Sequence, residues 1–241
     1  MSTDPNLRSS LSRRRLRTTP AAPTTPSDEP GRPIRVRWQS ILTLIVIVGL
    51  LVAAGVGLSA ALKIAPVAAL ANCRTSNQIA PRLYAAAPAM CIKTDKIYQA
   101  TINTTKGDLV VIMPARDAPA TVNNFIVLAV SGYYTGLNFW HNESWVTQTG
   151  DPLGTGRGGP GYTLPEEKNS GDWTTAGALG MARTPGGPVN GSQFFILKDA
   201  WPNGGPATTV FNHFGTVVQG QEIVKTLTAA DRILGITVTV Q

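Results

Sequence analysis

An uncharged apolar run at Ile41–Leu62 constrains the fold of this chain more than any other feature of its sequence. Its 22 residues are mostly isoleucine, leucine, valine, alanine and glycine. As a helix rising 1.5 Å per residue the run is about 33 Å long, and the hydrocarbon core of a bilayer is about 30 Å thick. The sequence therefore predicts a transmembrane helix over residues 38–63, with the membrane as the partner of Ile41–Leu62.

The charges beside this run predict its orientation. Arg32, Arg35 and Arg37 precede it closely, whereas Lys63 is the only basic residue directly after it. Because short loops rich in Lys and Arg stay in the cytoplasm, we expect a single-pass protein of the cell membrane with a cytoplasmic N-terminus and an extracytoplasmic C-terminal domain. A cleaved signal peptide is the alternative, since Ala69-Leu70-Ala71 resembles a cleavage site, but its apolar region would be shorter and would not follow so long a leader.

Residues 1–37 are rich in arginine, proline, serine and threonine and contain few apolar side chains. Such a segment buries too little surface to offset its chain entropy, so we expect a disordered cytoplasmic tail. It holds eight arginines against three acidic residues, which is most of the formal charge of +7. From Lys93 onward ten basic residues stand against eleven acidic ones, so nucleic acid is not expected as a partner. The arginines of the tail either set the topology or contact anionic lipids.

Cys73 and Cys91 are the only cysteines of the chain, and both fall on the expected outer side of the membrane. In an oxidising compartment they can form a disulfide worth about 3 kcal/mol in the loop-entropy model. Two unpaired thiols are the alternative. Residues 64–95 are then an extracytoplasmic linker between the membrane and the folded domain.

The pattern of the remaining chain predicts a mainly β domain over residues 96–241. Two β-branched segments, Ile97–Thr104 and Leu109–Met113, flank a polar turn with glycine and predict a hairpin. Apolar residues then recur at helical spacing from Pro119 until Gly132. Further strands are predicted at Ala178–Ala182, Ser192–Leu197, His213–Val218 and Ile236–Val240, with a second helix at Gln221–Ala229. We expect a closed β-barrel with helices covering its ends.

Conventional acid–base, metal and phosphate sites find no support in the sequence. His141 and His213 are the only histidines, and no nucleophile elbow or metal-ligand spacing accompanies them. The glycine-rich segment 154–162 has no phosphate-binding pattern that opens a helix and is interpreted as a surface loop. No metal and no cofactor are therefore expected.

Three sequence blocks in order, Trp145–Pro152, Leu179–Ala182 and Asn190–Ile196, resemble the cyclophilin family of peptidyl-prolyl cis-trans isomerases. The block Asn-Gly-Ser-Gln-Phe-Phe that begins at Asn190 is the most specific of the three. The resemblance covers about Ile97 to Gln241 and implies an eight-stranded antiparallel barrel capped by two α-helices. It also implies an enzyme that isomerises X–Pro bonds, here in exported or cell-surface polypeptides, with proline-containing polypeptides as partners and a cyclosporin-like molecule as a candidate ligand.

This reaction explains why no nucleophile is needed. Rotation about an X–Pro bond meets a barrier of about 18–20 kcal/mol because the twisted amide loses its resonance, and no bond has to break. A catalyst must hold the proline ring in an apolar pocket, bind the flanking backbone, and stabilise the twisted amide more than the planar one.

The resemblance assigns the site residues by motif position. The proline pocket would be formed by Trp145, Val146, Phe195 and Pro202. Gln148, Ala182, Arg183 and Gln193 would bind the peptide, with Gln148 and Phe195 counted as catalytic. Trp201 matches the pocket-edge tryptophan of the family, and Phe211 could form a further wall.

One departure from the family motif concerns the arginine that is thought to hydrogen-bond the proline nitrogen. The matching stretch here contains no arginine, and either His141 or Trp140 takes its place, depending on where a one-residue gap is put. An imidazole or an indole offers one N–H donor in place of the fixed, charged guanidinium fork. We therefore expect slower catalysis with proline binding retained.

Two other classes of function compete with this prediction. A catalytically weak, chaperone-like module that binds proline peptides would fit the missing arginine. A purely structural domain would turn Phe195 or Trp201 into the core and fill the pocket.

Overall fold

The computed structural model describes residues 70–74, 77–167, 171–206 and 209–241. The predicted tail (1–37) and the predicted transmembrane helix (38–63) lie outside this part of the chain. Among the residues that are described, no helix is long and apolar enough to cross a bilayer.

The described chain is mainly β, as predicted, with two helices. The first is α1 (Pro119–Val130) and the second is α2 (Gln221–Thr226). The strands are β1 (Gln78–Ala80), β2 (Leu83–Tyr84), β3 (Ile97–Thr104), β4 (Gly107–Pro114), β5 (His141–Asn142), β6 (Val146–Thr149), β7 (Thr163–Leu164), β8 (Ala178–Met181), β9 (Val189–Asn190), β10 (Phe194–Leu197), β11 (His213–Gln219) and β12 (Ile233–Val240).

Eight of these strands form one antiparallel sheet in the order β12-β3-β4-β11-β8-β10-β6-β5. The pairs β1-β2 and β7-β9 form two small separate sheets. The predicted hairpin is β3-β4, whose register runs from Ile97 opposite Pro114 to Thr104 opposite Gly107. Gly107 has a φ of 127°, a backbone conformation that favours glycine and allows the tight turn.

The sheet does not close into a barrel through a continuous ladder, which corrects the predicted closed barrel. The edge strands are β12 and β5. The segment before β5 is joined to the start of β12 by an isolated bridge between Asn138 and Arg232 and by backbone hydrogen bonds between residues 136–139 and residues 231–233. The fold is a curled eight-stranded sheet.

Side chains on the inner face of the sheet pack against α1. The central ring is Phe125 of α1, which is fully buried and lies 5.2–5.5 Å between centroids from Tyr134, Phe194 and Phe214. The second helix and the strand predicted at Ser192–Leu197 are shorter than expected by three and two residues. Helix α2 ends at Thr226 because Leu227 takes an extended backbone, and β10 begins only at Phe194 because the Ser192 and Gln193 N–H groups donate to the Asn190 side chain.

The described residues of the segment before the domain are packed against it. A disulfide joins Cys73 to Cys91, with a Cα–Cα distance of 5.2 Å. Leu70, Cys73, Tyr84 and Ile92 are buried in the same hydrophobic core as the sheet and α1. The described residues of 70–95 therefore form an extension of the domain.

Candidate functional site

The outer face of strands β6, β8 and β10 carries a second apolar cluster. Along β10 the side chains alternate, so that Phe194 and Ile196 enter the main core while Phe195 and Leu197 pack on the opposite face. Around Phe195 lie four partly buried aromatic residues, Trp145, Trp173, Trp201 and Phe211. Residues of this cluster line a cavity.

This cavity has a volume of about 140 Å³ and brings together nine of the twelve site residues predicted from the sequence. They are His141, Trp145, Val146, Gln148, Ala182, Arg183, Phe195, Trp201 and Phe211. Phe195 is 4% exposed and forms the floor, with Phe211 edge-on to it at 5.3 Å between ring centroids. Neither Phe195 nor Trp201 has turned into the main core, and the cavity is open.

Trp201 connects the walls of the cavity. Its ring centroid lies 4.7 Å from that of Trp145 and 5.2 Å from that of Phe211. Pro202, which was predicted to line the pocket, is exposed on a short 3₁₀ turn over Pro202–Gly204 and is not part of the cavity wall. The turn carries the proline ring away from the cluster as the chain leaves Trp201.

Trp173 is a member of the cluster that sequence reasoning missed. Its ring lies 5.5 Å from Phe195 and 5.9 Å from Trp201, and its carbonyl accepts a hydrogen bond from the Trp201 N–H. A Cβ atom at Gly180 would lie 2.4 Å from the Phe195 ring and 2.7 Å from the Trp173 ring. The glycine between two predicted strand residues was the one signal in the sequence that a large side chain covers this position.

The polar side of the cavity is held by a chain of amides. Gln148 donates from Nε2 to Oε1 of Gln193 at 2.8 Å, and Gln193 donates in turn to the Gly158 carbonyl at 2.7 Å. Gln193 is 1% exposed, so it lies behind the cavity and orients Gln148 at its edge. The carboxylate of Asp151 organises the glycine-rich loop that supplies this carbonyl by accepting the N–H groups of Leu153, Thr155 and Gly156.

Arg183 is fixed beside the cavity by contacts with the rest of the protein. Its Nη1 atom lies 2.7 Å from Oε2 of Glu166 and 3.0 Å from the Val210 carbonyl, and its Nε atom donates to the Gly187 carbonyl. The side chain is 11% exposed. The guanidinium is thus bound by groups of the protein itself.

His141 and Trp140, the two candidates for the position of the family arginine, line different cavities. His141 lines the cavity on β5 opposite Gln148 of β6, whereas Trp140 lines a neighbouring cavity of about 370 Å³. The His141 Nε2 atom lies 3.1 Å from Oε1 of Glu143, and the other oxygen of Glu143 accepts the Trp145 indole N–H at 2.7 Å. Glu143 therefore links the histidine to one wall of the cavity.

A buried lysine supports β5 from behind. Lys198 donates from Nζ to Oδ1 of Asn142 at 3.1 Å and to the Leu227 carbonyl at 2.9 Å. Thr147 donates to the same Asn142 oxygen, and burial lowers the pKa of Lys198. These contacts hold the residue next to His141 in place.

The neighbouring cavity contains the remaining predicted residues. It shares Gln148, Ala182 and Arg183 with the first cavity and is also lined by Trp140 and Gln193. The Trp140 indole packs on Gly156, where a Cβ atom would lie 2.8 Å from the ring. Of the twelve site residues, Pro202 alone lies outside both cavities.

Comparison with known proteins agrees with this geometry. A family model described as "Cyclophilin type peptidyl-prolyl cis-trans isomerase/CLD" matches residues 99–237. A peptidyl-prolyl cis-trans isomerase of Synechococcus elongatus is 38% identical over 141 residues, which cover 57% of this chain and 94% of the relative. Peptidyl-prolyl cis-trans isomerase B of Bacillus subtilis is 44% identical over 116 residues, which cover 47% of this chain and 78% of the relative.

Solved structures agree as well. A cyclophilin type peptidyl-prolyl cis-trans isomerase of Cryptosporidium parvum superposes with a TM-score of 0.53 at 27% identity, covering 60% of this chain and 98% of its own. A second structure of the C. parvum protein, determined in the presence of the dipeptide Ala-Pro, gives a TM-score of 0.50 at 30% identity, covering 59% of this chain and 98% of its own.

Proposed function

Because the chain belongs to the cyclophilin-type peptidyl-prolyl cis-trans isomerases, we propose that the cavity above Phe195 binds the proline ring of its substrate peptide. The observation that carries this proposal is the meeting of nine motif residues from separate strands and loops at one apolar cavity. A volume of about 140 Å³ suits a small apolar ring, and an open side lets the peptide continue in both directions.

The peptide backbone is bound at the polar edge of this cavity. The backbone groups of Ala182 are already bonded within the protein. Its N–H donates to the Gln193 carbonyl, and its carbonyl accepts a hydrogen bond from the Asn190 N–H. The next residue, Arg183, therefore makes the backbone contacts to the peptide. Gln148 on β6 contributes its side-chain amide. With the ring held and one flank bound, the other flank rotates about the X–Pro bond.

His141 occupies the place of the arginine and faces the twisting amide. Its imidazole supplies one N–H at a time toward the proline nitrogen, where a guanidinium would supply several in a fixed, charged fork. Each 1.36 kcal/mol of lost transition-state stabilisation costs a factor of ten in rate. The proposed rate is accordingly lower than that of an arginine-bearing relative.

The substrates we propose are exported or cell-surface polypeptides. Supporting this are the apolar run Ile41–Leu62 with arginines on its N-terminal side and the Cys73–Cys91 disulfide, a bond typical of oxidising compartments. In this proposal the chain is a single-pass membrane protein with its isomerase domain outside.

Labelling intact cells with a membrane-impermeant maleimide tests this topology. A cysteine introduced by Leu153→Cys should react, and one introduced by Ser9→Cys should not. The reverse pattern would contradict the proposed topology.

NMR exchange spectroscopy of an Ala-Pro peptide with the full chain in detergent micelles tests the activity and the site together. Exchange between the cis and trans forms should be well above the spontaneous rate, should be lost in Phe195→Ala, and should persist in Leu153→Ala, a control at a 67% exposed position. Acceleration that survives Phe195→Ala would place the site elsewhere.

The second candidate function is a proline-binding module with little catalysis. What favours it is that the segment 138–142, where the resemblance places an arginine, contains none, and that His141 lines the cavity. In the same experiment this module would shift the peptide signals without accelerating exchange.

A further inference from the structure

The extension before the family domain is connected to the polar edge of the site. The matched family region begins at residue 99, whereas the disulfide and the β1-β2 hairpin lie between residues 73 and 91. The disulfide joins the residues that flank the hairpin within this extension, Cys73 and Cys91. The Cys91 N–H donates to the Asn123 side chain of α1 at 2.8 Å. The extension is therefore fastened to the domain at the side of α1.

Two routes lead from the hairpin toward Gln193. In the first, the Tyr84 N–H donates to the Pro160 carbonyl at 2.8 Å, in the loop that also supplies the Gly158 carbonyl to Gln193. The same loop packs tightly on the residues before Gln193, since a Cβ atom at Gly191 would lie 2.6 Å from the Pro160 ring. The hairpin thus holds the loop against the backbone that carries Gln193.

The second route passes through Tyr133. Arg82 donates from Nε to the Tyr133 carbonyl at 2.9 Å and from Nη2 to the Thr135 carbonyl. The Tyr133 hydroxyl donates to Ser192 at 2.9 Å, and Ser192 donates to the Gly150 carbonyl at 2.7 Å. Burial raises the pKa of Tyr133 to about 12, so this hydroxyl keeps its proton. Ser192 precedes Gln193 directly.

We propose that the disulfide-fastened extension is a positioning element of the isomerase site, which acts through Pro160, Tyr133 and Gln193 on the orientation of Gln148. The proposal rests on the proposed function, because Gln148 matters only if the cavity above Phe195, whose edge it forms, binds the X–Pro peptide. Arg82 is its main positioning residue. It holds a left-handed backbone with a φ of 59° and contributes two hydrogen bonds to the family domain.

The test is a double-mutant cycle on the full chain in micelles. Arg82→Gly removes the guanidinium but keeps the left-handed backbone available, and Gln193→Ala removes the group through which it is proposed to act. We expect Arg82→Gly to lower kcat/KM about fivefold in the wild-type background and less than about 1.5-fold in the Gln193→Ala background. Ile79→Ala, at a 66% exposed position of the same hairpin, is the matched control and should change neither.

Two further measurements keep the cycle decisive. The Gln148 side-chain amide signals in ¹⁵N-labelled protein should shift in Arg82→Gly and in the Cys73→Ala/Cys91→Ala double variant, with Tm recorded for each. Equal losses of kcat/KM in both backgrounds, or an unchanged kcat/KM together with unmoved Gln148 signals, would overturn the proposal. If the wild type shows no isomerase activity, the proposed function fails, while the amide signals still decide whether the extension orients Gln148.

Discussion

The two faces of strand β10 carry two aromatic clusters that differ in what covers them. On the inner face Phe194 lies under α1, with Phe125, Tyr134 and Phe214 around it, all at most 1% exposed. On the outer face Phe195 is almost as buried, but the rings around it are only partly buried and enclose a cavity. The comparison shows that aromatic composition does not distinguish a closed core from a cluster that encloses a cavity. The presence or absence of a covering layer does.

The largest effect is expected when the two adjacent phenylalanines, Phe194 and Phe195, are each replaced by alanine in separate variants. Phe194→Ala should lower the free energy of unfolding by about 3–5 kcal/mol, since it leaves a void in a closed core. Phe195→Ala should cost roughly 2 kcal/mol less, because its space joins an existing cavity that water can enter. Urea unfolding of both variants measures the difference. Equal losses of stability would mean that the outer cluster is packed as a core.

Adding a methyl group to the outer face should have the next largest effect. Gly180→Ala places a Cβ atom 2.4 Å from the Phe195 ring, so the ring or Trp173 must move. We expect about 1–3 kcal/mol of destabilisation and a weaker affinity for an Ala-Pro peptide. Chemical-shift titration with the peptide measures the affinity. Gly235→Ala is a matched control, because a Cβ atom there meets no atom within 4 Å. An unchanged affinity in Gly180→Ala would show that Phe195 does not shape the pocket.

Replacing His141 by arginine tests whether the missing arginine limits catalysis at the outer face. His141→Arg should raise kcat/KM about tenfold, or about 1.4 kcal/mol of transition-state stabilisation, because the guanidinium supplies a charged, multi-donor group. Trp140→Arg is the matched control from the neighbouring cavity and should not raise it. A gain in the Trp140 variant alone would mean that Trp140 holds the arginine position after all. The exchange rate of an Ala-Pro peptide at saturating and limiting concentration gives kcat and KM separately.

Much of the inner face could be predicted from the sequence, because β-branched strands and the spacing after Pro119 are local signals. The outer face was predictable where motif residues carry it, as with Phe195 and Trp201. Trp173 was not, because its place in the cluster depends on a tertiary contact over Gly180. The exposed position of Pro202 was not predictable either, because it depends on the 3₁₀ turn that follows Trp201. The packing of the extension against the domain was not predicted either. It depends on hydrogen bonds from Arg82 to carbonyls that are distant in the chain, and such bonds produce no periodic pattern in the sequence.

The smallest expected effect concerns a titratable group behind the outer cluster. The His213 ring lies 5.2 Å from Trp173 and edge-on to it, and burial lowers the pKa of His213, with Asp117 and Asp172 acting in the opposite direction. The inner cluster contains no histidine among the described residues. A lowered pKa in the folded state means that the unfolded chain, with a histidine pKa of about 6.5, takes up its proton first as the pH falls.

The stability contributed by His213 should therefore be fully present above about pH 7 and decrease as the pH falls from the unfolded pKa of about 6.5 through the lowered folded pKa. Urea unfolding at half-unit steps of pH measures this slope, and His213→Gln should flatten it because an amide does not titrate. His141→Gln is the control for the only other histidine of the chain. If His213→Gln keeps the slope of the wild type, protonation behind Trp173 does not couple to folding, and the outer cluster is as insensitive to pH as the inner one.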